Sequence, residues 1–422
     1  MQIDSQLILY SLTCLLLLYF IPLAYIRLKM PFWHTQPVFH IYNLKYWFNP
    51  PGQIITNKYV SNKYVSNKYV SNKYVSNKYV SNKYVNLLNN ELMPLDATNK
   101  TKIMQICHFI KDYYVIHPEA NYKPSTEDIL AYLQSNNHPS YFNVYQEPRL
   151  LFGTEPIPIP DNEILGVISA RVLNVTLLKK KGKQKKIAFP VYYIDNLCVK
   201  PSHRKKGIAP QMIQTLYHRI SQTNPKVQAY LFKREGQLNA IVPLMCYHTY
   251  AFELTQFVPT TLVTGAIKLL VLGVQQLNVL VAFLKEQRTQ FECVILPDVS
   301  NLLHLIKTGK LLIYGLLFGG ELIAVYVFRP LELYYQGQKA IECIAVISNC
   351  LTNDILVAGF NDIIVKLRVE VLLIEETAHS KPIITELQKN TSVKEKFKSP
   401  TAFFFYNYAC YSFEKEKTLI IY

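Results

Sequence analysis

The pattern of apolar and polar positions divides the chain into stretches of different character. From Leu7 to Ile26 no charged side chain interrupts a run rich in Leu, Ile and Tyr. Twenty such residues suffice to cross a bilayer as a helix. Later apolar stretches, such as Leu269 to Leu284, are broken by Gln275, Gln276 and Asn278 and read as core. A helical period appears over Lys102 to Val115, with Ile103, Ile106, Cys107 and Ile110 on one face. A second helix is predicted from Thr126 to Leu133, entered through Ser125-Thr126-Glu127-Asp128. Ile164 to Ala170 predicts a strand, followed by a hairpin with its tip at Lys179 to Lys186. A strand from Ala188 to Val199 and a helix from Ala209 to Ile220 complete this half. The second half echoes the order. Leu311 to Leu317 and Glu321 to Phe328 form a strand pair around Gly319-Gly320, and Glu321-Leu322-Ile323-Ala324-Val325 resembles Glu163-Ile164-Leu165-Gly166-Val167. Two α+β halves related by duplication follow.

Between Asn57 and Val85 the string Asn-Lys-Tyr-Val recurs six times at a spacing of five. That period matches neither a helix face nor a strand face, so no amphipathic element can keep Tyr and Val on one side. The segment reads as a low-complexity insertion, not a solenoid.

Charge and cysteine usage narrow the classes. The formal net charge of +16 over 422 residues concentrates at Lys179 to Lys186 and Lys200 to Lys206. Neither cluster carries the interleaved aromatics of a single-strand platform, which places nucleic acid last among anionic partners. A solvated face, an anionic membrane surface and a phosphate-bearing ligand stay open. Eight cysteines occur without a C-x-x-C pair or zinc spacing, mostly inside apolar runs such as Phe291-Glu292-Cys293-Val294-Ile295. They read as reduced core residues, with no metal site expected. At the N-terminus, Asp4 precedes the apolar run and Arg27 and Lys29 follow it, with no small-residue cleavage site. This asymmetry predicts a single-pass anchor with the body facing the cytoplasm.

The segment Asp195-Asn196-Leu197-Cys198-Val199-Lys200-Pro201-Ser202-His203-Arg204-Lys205-Lys206-Gly207-Ile208-Ala209-Pro210 carries the candidate chemistry. An apolar strand runs into a basic, glycine-containing turn that opens a helix. Small residues at 207 and 209 let a ligand approach the backbone, whose N–H groups can hold a pyrophosphate. Arg204, Lys205 and Lys206 add charge for the same phosphates. Without further context, a ligand-free basic turn fits equally well.

That segment resembles the pyrophosphate loop of the GNAT acyltransferases, and its flanks sharpen the resemblance. Phe32-Trp33-His34-Thr35-Gln36-Pro37-Val38 is similar to the F-W-x-T-x-P-V signature of the N-myristoyltransferase family. Asn196-Leu197-Cys198-Val199 through Ala209-Pro210 resembles that family's N-F-L-C-V stretch and R-x-K-x-[VI]-A-P loop. Asp112-Tyr113-Tyr114-Val115, Leu165 to Ala170 and Phe404-Phe405-Tyr406-Asn407-Tyr408 resemble further family strings, in the family's order. The resemblance spans nearly the whole chain beyond the anchor. It implies two fused GNAT-like halves with mixed sheets and flanking helices behind one transmembrane helix. The corresponding division is 1–29 anchor, 30–56 signature, 57–85 repeat insertion, 86–255 acyl-CoA half and 256–422 acceptor half.

The resemblance also implies roles. Myristoyl-CoA would be the co-substrate, with no tightly bound cofactor, and the acceptor a peptide or protein with an N-terminal glycine. A monomer is expected. Cofactor contacts would come from Phe32, Trp33, His34, Cys198, Val199, Lys200, Arg204, Lys205, Lys206, Gly207, Ile208 and Ala209. Backbone N–H groups of Asn196 and Leu197 would form the oxyanion hole. Tyr114, Val115 and Tyr247 would contact the peptide. The terminal carboxylate, on Tyr422, would be the base that deprotonates the glycine ammonium. The apolar ending Leu419-Ile420-Ile421-Tyr422 suits a buried terminus, and burial raises the basicity of a carboxylate. Three departures stand out. Asp195 replaces the family's Asn, Gln228 to Arg234 replaces a Y-T-A-G segment, and the His of an R-Y-W-H string is missing after Tyr247. Asp195 could bind the acceptor ammonium directly. Two alternatives stay open: a GNAT enzyme using another acyl-CoA or amine, and a catalytically degenerate acyltransferase-like protein tethered at a membrane.

Overall fold

The computed structural model describes residues 5–48, 52–55, 82–115, 119–151, 159–178, 186–236, 241–259, 267–349 and 352–422. The expected hairpin tip at 179–185 and all but the last copy of the repeat lie outside them. The chain opens with α1 (Ser5–Lys29), α2 (Pro31–His34), α3 (Leu44–Phe48) and the short strand β1 (Gly52–Gln53). There follow β2 (Asn90–Pro94), α4 (Lys100–Tyr113), β3 (Ala120–Tyr122), α5 (Thr126–Leu130), β4 (Tyr141–Leu151) and β5 (Ile159–Leu178). Next come β6 (Lys186–Val199), α6 (Ile208–Thr223), β7 (Ala229–Glu235) and β8 (Met245–Glu253). The second half holds β9 (Ile267–Val271), α7 (Leu277–Gln287), β10 (Cys293–Leu296), α8 (Val299–Lys307), β11 (Leu312–Phe318), β12 (Glu321–Tyr335) and β13 (Gln338–Ser348). It closes with α9 (Asn353–Leu367), β14 (Val371–Glu375), α10 (Lys381–Lys389), β15 (Lys394–Tyr406), β16 (Tyr408–Ala409) and β17 (Thr418–Ile420).

Fifteen strands join one mixed sheet, and its order displays the duplication. β5 and β6 pair antiparallel, α6 crosses, and β7 returns parallel to β6. In the second half β12 and β13 pair antiparallel, α9 crosses, and β14 returns parallel to β13. Each half then gives its next strand away. β8 pairs with β14, β15 pairs with β7, and the β8–β15 pair fuses the halves. The expected pair of fused GNAT-like halves is thus present, and reciprocal strand exchange joins them.

Local chemistry sets several element ends. Asn99 caps α4, its side chain accepting from the Thr101 N–H, so the helix starts at Lys100. Ser125 and Asp128 form a capping box at α5. That helix stops at Leu130, not Leu133, because buried Asn301 donates to the carbonyls of Ala131, Tyr132 and Gln134. An outside donor thereby replaces the next helical turn. β5 continues past Ala170 because the Arg171 guanidinium is accommodated inside, over the rings of Tyr132 and Tyr193 at 5.3 and 5.2 Å. Gly166 is required for close packing, since a Cβ there would meet Met212 Sδ of α6 at 2.6 Å. The apolar face of α6 (Ile208, Met212, Leu216 and Ile220) then covers Ile168, Ala170 and Tyr192, each buried apolar side chain contributing about 1.5–3 kcal/mol. Five of the seven described cysteines are buried.

Candidate active site

β6 and β7 are hydrogen-bonded only from Val191–Ala229 to Ile194–Phe232, and then part. Just beyond, β6 carries a bulge. Val167 pairs with Cys198 and Ser169 with Asp195, so Asn196 and Leu197 together face Ile168. Asn196 adopts a positive φ of 53°. A bulge of this kind releases residues from the ladder and re-aims them.

The parted strands open a cavity of about 130 Å³. Its walls come from β5 and β6 (Ile168, Ile194, Leu197), α6 (Ile213, Leu216, Tyr217), β7 (Tyr230, Phe232, Lys233), β15 (Tyr406) and Trp33. Trp33 stacks on Phe232 with centroids 5.4 Å apart, and Phe232 stacks on Phe404 at 5.3 Å. Phe32, buried, contacts Trp33 and Tyr84 edge-on. Tyr84 belongs to the last copy of the repeat, whose N–H donates to Gln214 of α6.

At the mouth of α6, Lys205 and Gly207 take φ values of 63° and 81°. Among the described residues no side chain caps the helix, so the first-turn N–H groups, together with exposed Lys205 and Lys206, suit an anion. Gly207 is needed for its backbone conformation, since an added Cβ would have room. Ile208 is buried in the α6 core and Ala209 packs beside it. Arg204 is otherwise engaged, its Nε donating to the Val199 carbonyl at 3.1 Å and Nη2 reaching that of Tyr113. Lys200 pairs with Glu163. Cys198 packs with Ile106 and Val167 beneath α4, where burial pushes its thiol up to about 12. His34 also stands apart from the cavity. Its ring bonds to Arg27 and Tyr42 at 2.8 Å each.

The opposite face of the same strands is charged. Asp195 Oδ1 accepts from the Tyr114 hydroxyl and from the Asn196 N–H, both at 2.8 Å. One of the two expected oxyanion donors is therefore engaged by its neighbour, while Leu197 stands at the cavity wall. Val115 lines a surface depression with Tyr122. Deeper in, Tyr422 is 1% exposed, and its ring lies 5.4 Å from that of Tyr193. β17 runs parallel to β10, and the Ile421 N–H donates to the Ile295 carbonyl. The Tyr422 hydroxyl donates to Glu375 Oε1 at 2.6 Å and accepts from Lys233 Nζ at 2.8 Å. Arg329 covers its ring, 4.6 Å from the centroid. The same Glu375 oxygen accepts from Tyr247 and Lys233, while Oε2 is buried without a partner among the described residues.

Burial and the nearby charge of Glu342 raise the Glu375 carboxyl, against the pull of Lys233. Burial would also raise Glu342, but Arg329 and Lys233 outweigh it and hold that carboxyl low. For Lys233, the loss of hydration is more than offset by Glu375 and the surrounding oxygens, which hold it firmly cationic. The sequence reading missed Lys233, Arg329, Glu342 and Glu375 as a group. Three of the four stand in strands that carry other charges, such as Arg234, Glu332 and Lys339, so no local mark set them apart.

Comparison with known proteins follows the same lines. The model of the acetyltransferase (GNAT) family matches residues 108–241, which hold the parted strands, the glycine turn and α6. That segment is similar to the GNAT acetyltransferases. A crystal structure of Saccharomyces cerevisiae N-myristoyltransferase with bound myristoyl-CoA superposes with a TM-score of 0.63 at 14% identity, covering 92% of this chain and 94% of that one. A second structure of that enzyme, with bound myristoyl-CoA and inhibitors, gives 0.64 at 14% identity, covering 93% of each chain. The fold is that of the N-myristoyltransferase structures. No curated protein matches the chain by sequence.

Proposed function

We propose that this chain is an acyl-CoA-dependent N-acyltransferase moving a long acyl group, myristoyl in the first instance, to the N-terminal glycine amine of a peptide or protein. One juxtaposition supports this reading above all. Lys233 lines the apolar cavity and its ammonium holds the hydroxyl of the last residue of the chain. The acyl chain would fill the cavity, the CoA phosphates would rest on the Lys205–Ala209 turn, and the thioester would sit where β6 and β7 part. The two halves would divide the work, 86–255 binding acyl-CoA and 256–422 supplying the base.

The terminal carboxylate of Tyr422 takes a proton from the glycine ammonium, whose ordinary pKa is about 8. The freed amine attacks the thioester carbonyl, the C–S bond breaks, and CoA leaves as the thiolate and is then protonated. Backbone N–H groups at the bulge stabilise the oxyanion, each such donor contributing about 3 kcal/mol in related chemistry. Asp195 holds the Asn196 N–H in the resting site, so an ammonium drawn to Asp195 would free that donor as it binds. The helix α1 would anchor the enzyme, with its body in the cytoplasm.

That engaged Asn196 N–H favours one competing reading, a chain that binds acyl-CoA without turning it over. Two measurements separate them. Calorimetry with acyl-CoAs of graded length reports the cavity, and turnover of myristoyl-CoA with glycine-led peptides reports the chemistry. Myristoylated peptide is expected. Tight binding with no product would establish the binding-protein reading, and a preference for acetyl-CoA would assign another acyl donor.

A further inference from the structure

Next to the end of α1 lies a cluster of exposed apolar and aromatic side chains that neither the cavity nor the charged chamber uses. Leu44, Trp47 and Phe48 are 57%, 42% and 85% exposed. At positions i, i+3 and i+4 they share one face of α3. Ile41 and Tyr411, also exposed, extend the patch. It is rigidly built. The Trp47 indole N–H donates to the Ile41 carbonyl at 3.0 Å, and the Tyr411 hydroxyl donates to the Trp47 carbonyl at 2.9 Å. Phe39, buried, supports the Trp47 ring from behind with centroids 5.0 Å apart. An exposed, ordered aromatic face of this kind marks an interaction surface.

Its place in the fold points to the occupant. α1 has 25 residues, about 37 Å at 1.5 Å each, and exceeds the roughly 30 Å hydrocarbon core of a bilayer. From Leu9 to Lys29 it is apolar enough to span, with almost none of its surface packed on the body. Its last turn, however, is fastened. Ile26 is buried, the Arg27 Nε donates to His34, and His34 bonds to Tyr42. Tyr42 stacks on His40 with rings 4.8 Å apart. Two hydrogen bonds thus connect the foot of the helix to the residue beside Ile41. Trp and Tyr, apolar bodies with a polar edge, are the residues that settle at the head-group level.

We infer that the α3 face, with Trp47 and Phe48 at its centre and Ile41, Leu44 and Tyr411 around them, lies in the head-group region of the membrane that α1 spans. It rests on the anchored reading above. Two contacts, the spanning helix and the aromatic face, fix how the body sits on the bilayer. Trp33, four residues beyond the end of α1 at Lys29, then holds the cavity wall close to the lipid surface. A long-chain acyl-CoA partitioned at that surface reaches the cavity without crossing bulk water.

The chain has two tryptophans, which makes the test direct. Full-length protein is inserted into phosphatidylcholine–phosphatidylserine vesicles, with or without bromine near the head-group end of the acyl chains. The Trp47 signal is read in Trp33→Phe, and independently as the difference between the unaltered chain and Trp47→Phe. Strong quenching of Trp47 in the brominated vesicles is expected, weaker when the bromine lies at the bilayer centre. Co-flotation with vesicles but equal emission with and without bromine would overturn the inference and leave the anchor standing. Failure to co-float would overturn both.

Discussion

The two faces of β6 differ as sharply as any two regions of the molecule. Tyr192 and Ile194 look toward α6 into apolar packing and the cavity, whereas Tyr193 and Asp195, one residue along in each case, look into a chamber of buried charge. Strand alternation alone separates an apolar surface from a charged one. They meet only where β6 and β7 part, at Leu197 and Lys233. On the proposed reading the reacting centre is a hole in the sheet between two chemistries, and each chemistry can be perturbed separately.

The largest expected effect is on the charged face. Lys233→Met leaves Glu375 and Glu342 without a shared cation, and breaking a buried pair costs about 3–5 kcal/mol. Chemical denaturation should show that loss, and Lys233→Met combined with Glu375→Gln should recover part of it. No recovery would mean the two side chains act independently. Next comes the packing that shapes the apolar face. Gly166→Ala drives a methyl against Met212 and should destabilise by about 1–3 kcal/mol. Met212→Ala in the same chain should relieve the clash, read by the same denaturation curves. A smaller change probes the cavity itself. Ile213→Phe fills part of the wall and should weaken myristoyl-CoA by about 0.8 kcal/mol, roughly fourfold, per methylene excluded. Calorimetry with a shorter acyl-CoA should show no such loss. An equal loss for both lengths would place the chain elsewhere.

The most local effect concerns the junction with α1. Burial, helped by the nearby His34, depresses His40 from 6.5 to about 4. The fold favours the neutral ring, so its contribution to stability is whole above pH 6.5 and is lost as pH falls toward about 4. Hydrogen exchange over residues 30–48 should accelerate in that window, and His40→Asn should flatten the response.

How far the sequence foretold this arrangement depends on the kind of signal. The duplication, the glycine turn at Gly207 and the apolar terminus at Tyr422 were legible because each leaves a local mark: repeated strands, a small residue before a helix, apolar residues where a frayed end is usual. The exchange of β8 and β15 between halves was not, because strand pairing across more than a hundred residues leaves no periodic trace. The chamber escaped for the same reason. Lys233, on β7, lies far in the chain from Arg329, Glu342 and Glu375 on β12, β13 and β14, and the four become one network only after the sheet is assembled. Cys198 and His34 illustrate the converse. Their neighbours in sequence face the ligand side, but alternation turns Cys198 into the core and a bond to Arg27 turns His34 toward the anchor.

The account rests on the terminal carboxylate, and that group can be altered without touching the Tyr422 side chain. Converting it to the amide by protein ligation keeps every phenol contact and removes the proton acceptor. Turnover of myristoyl-CoA with a glycine-led peptide should then fall by about 10²–10⁴, with binding of myristoyl-CoA unchanged. Undiminished turnover by the amidated chain would contradict the claim that Tyr422 carries the base.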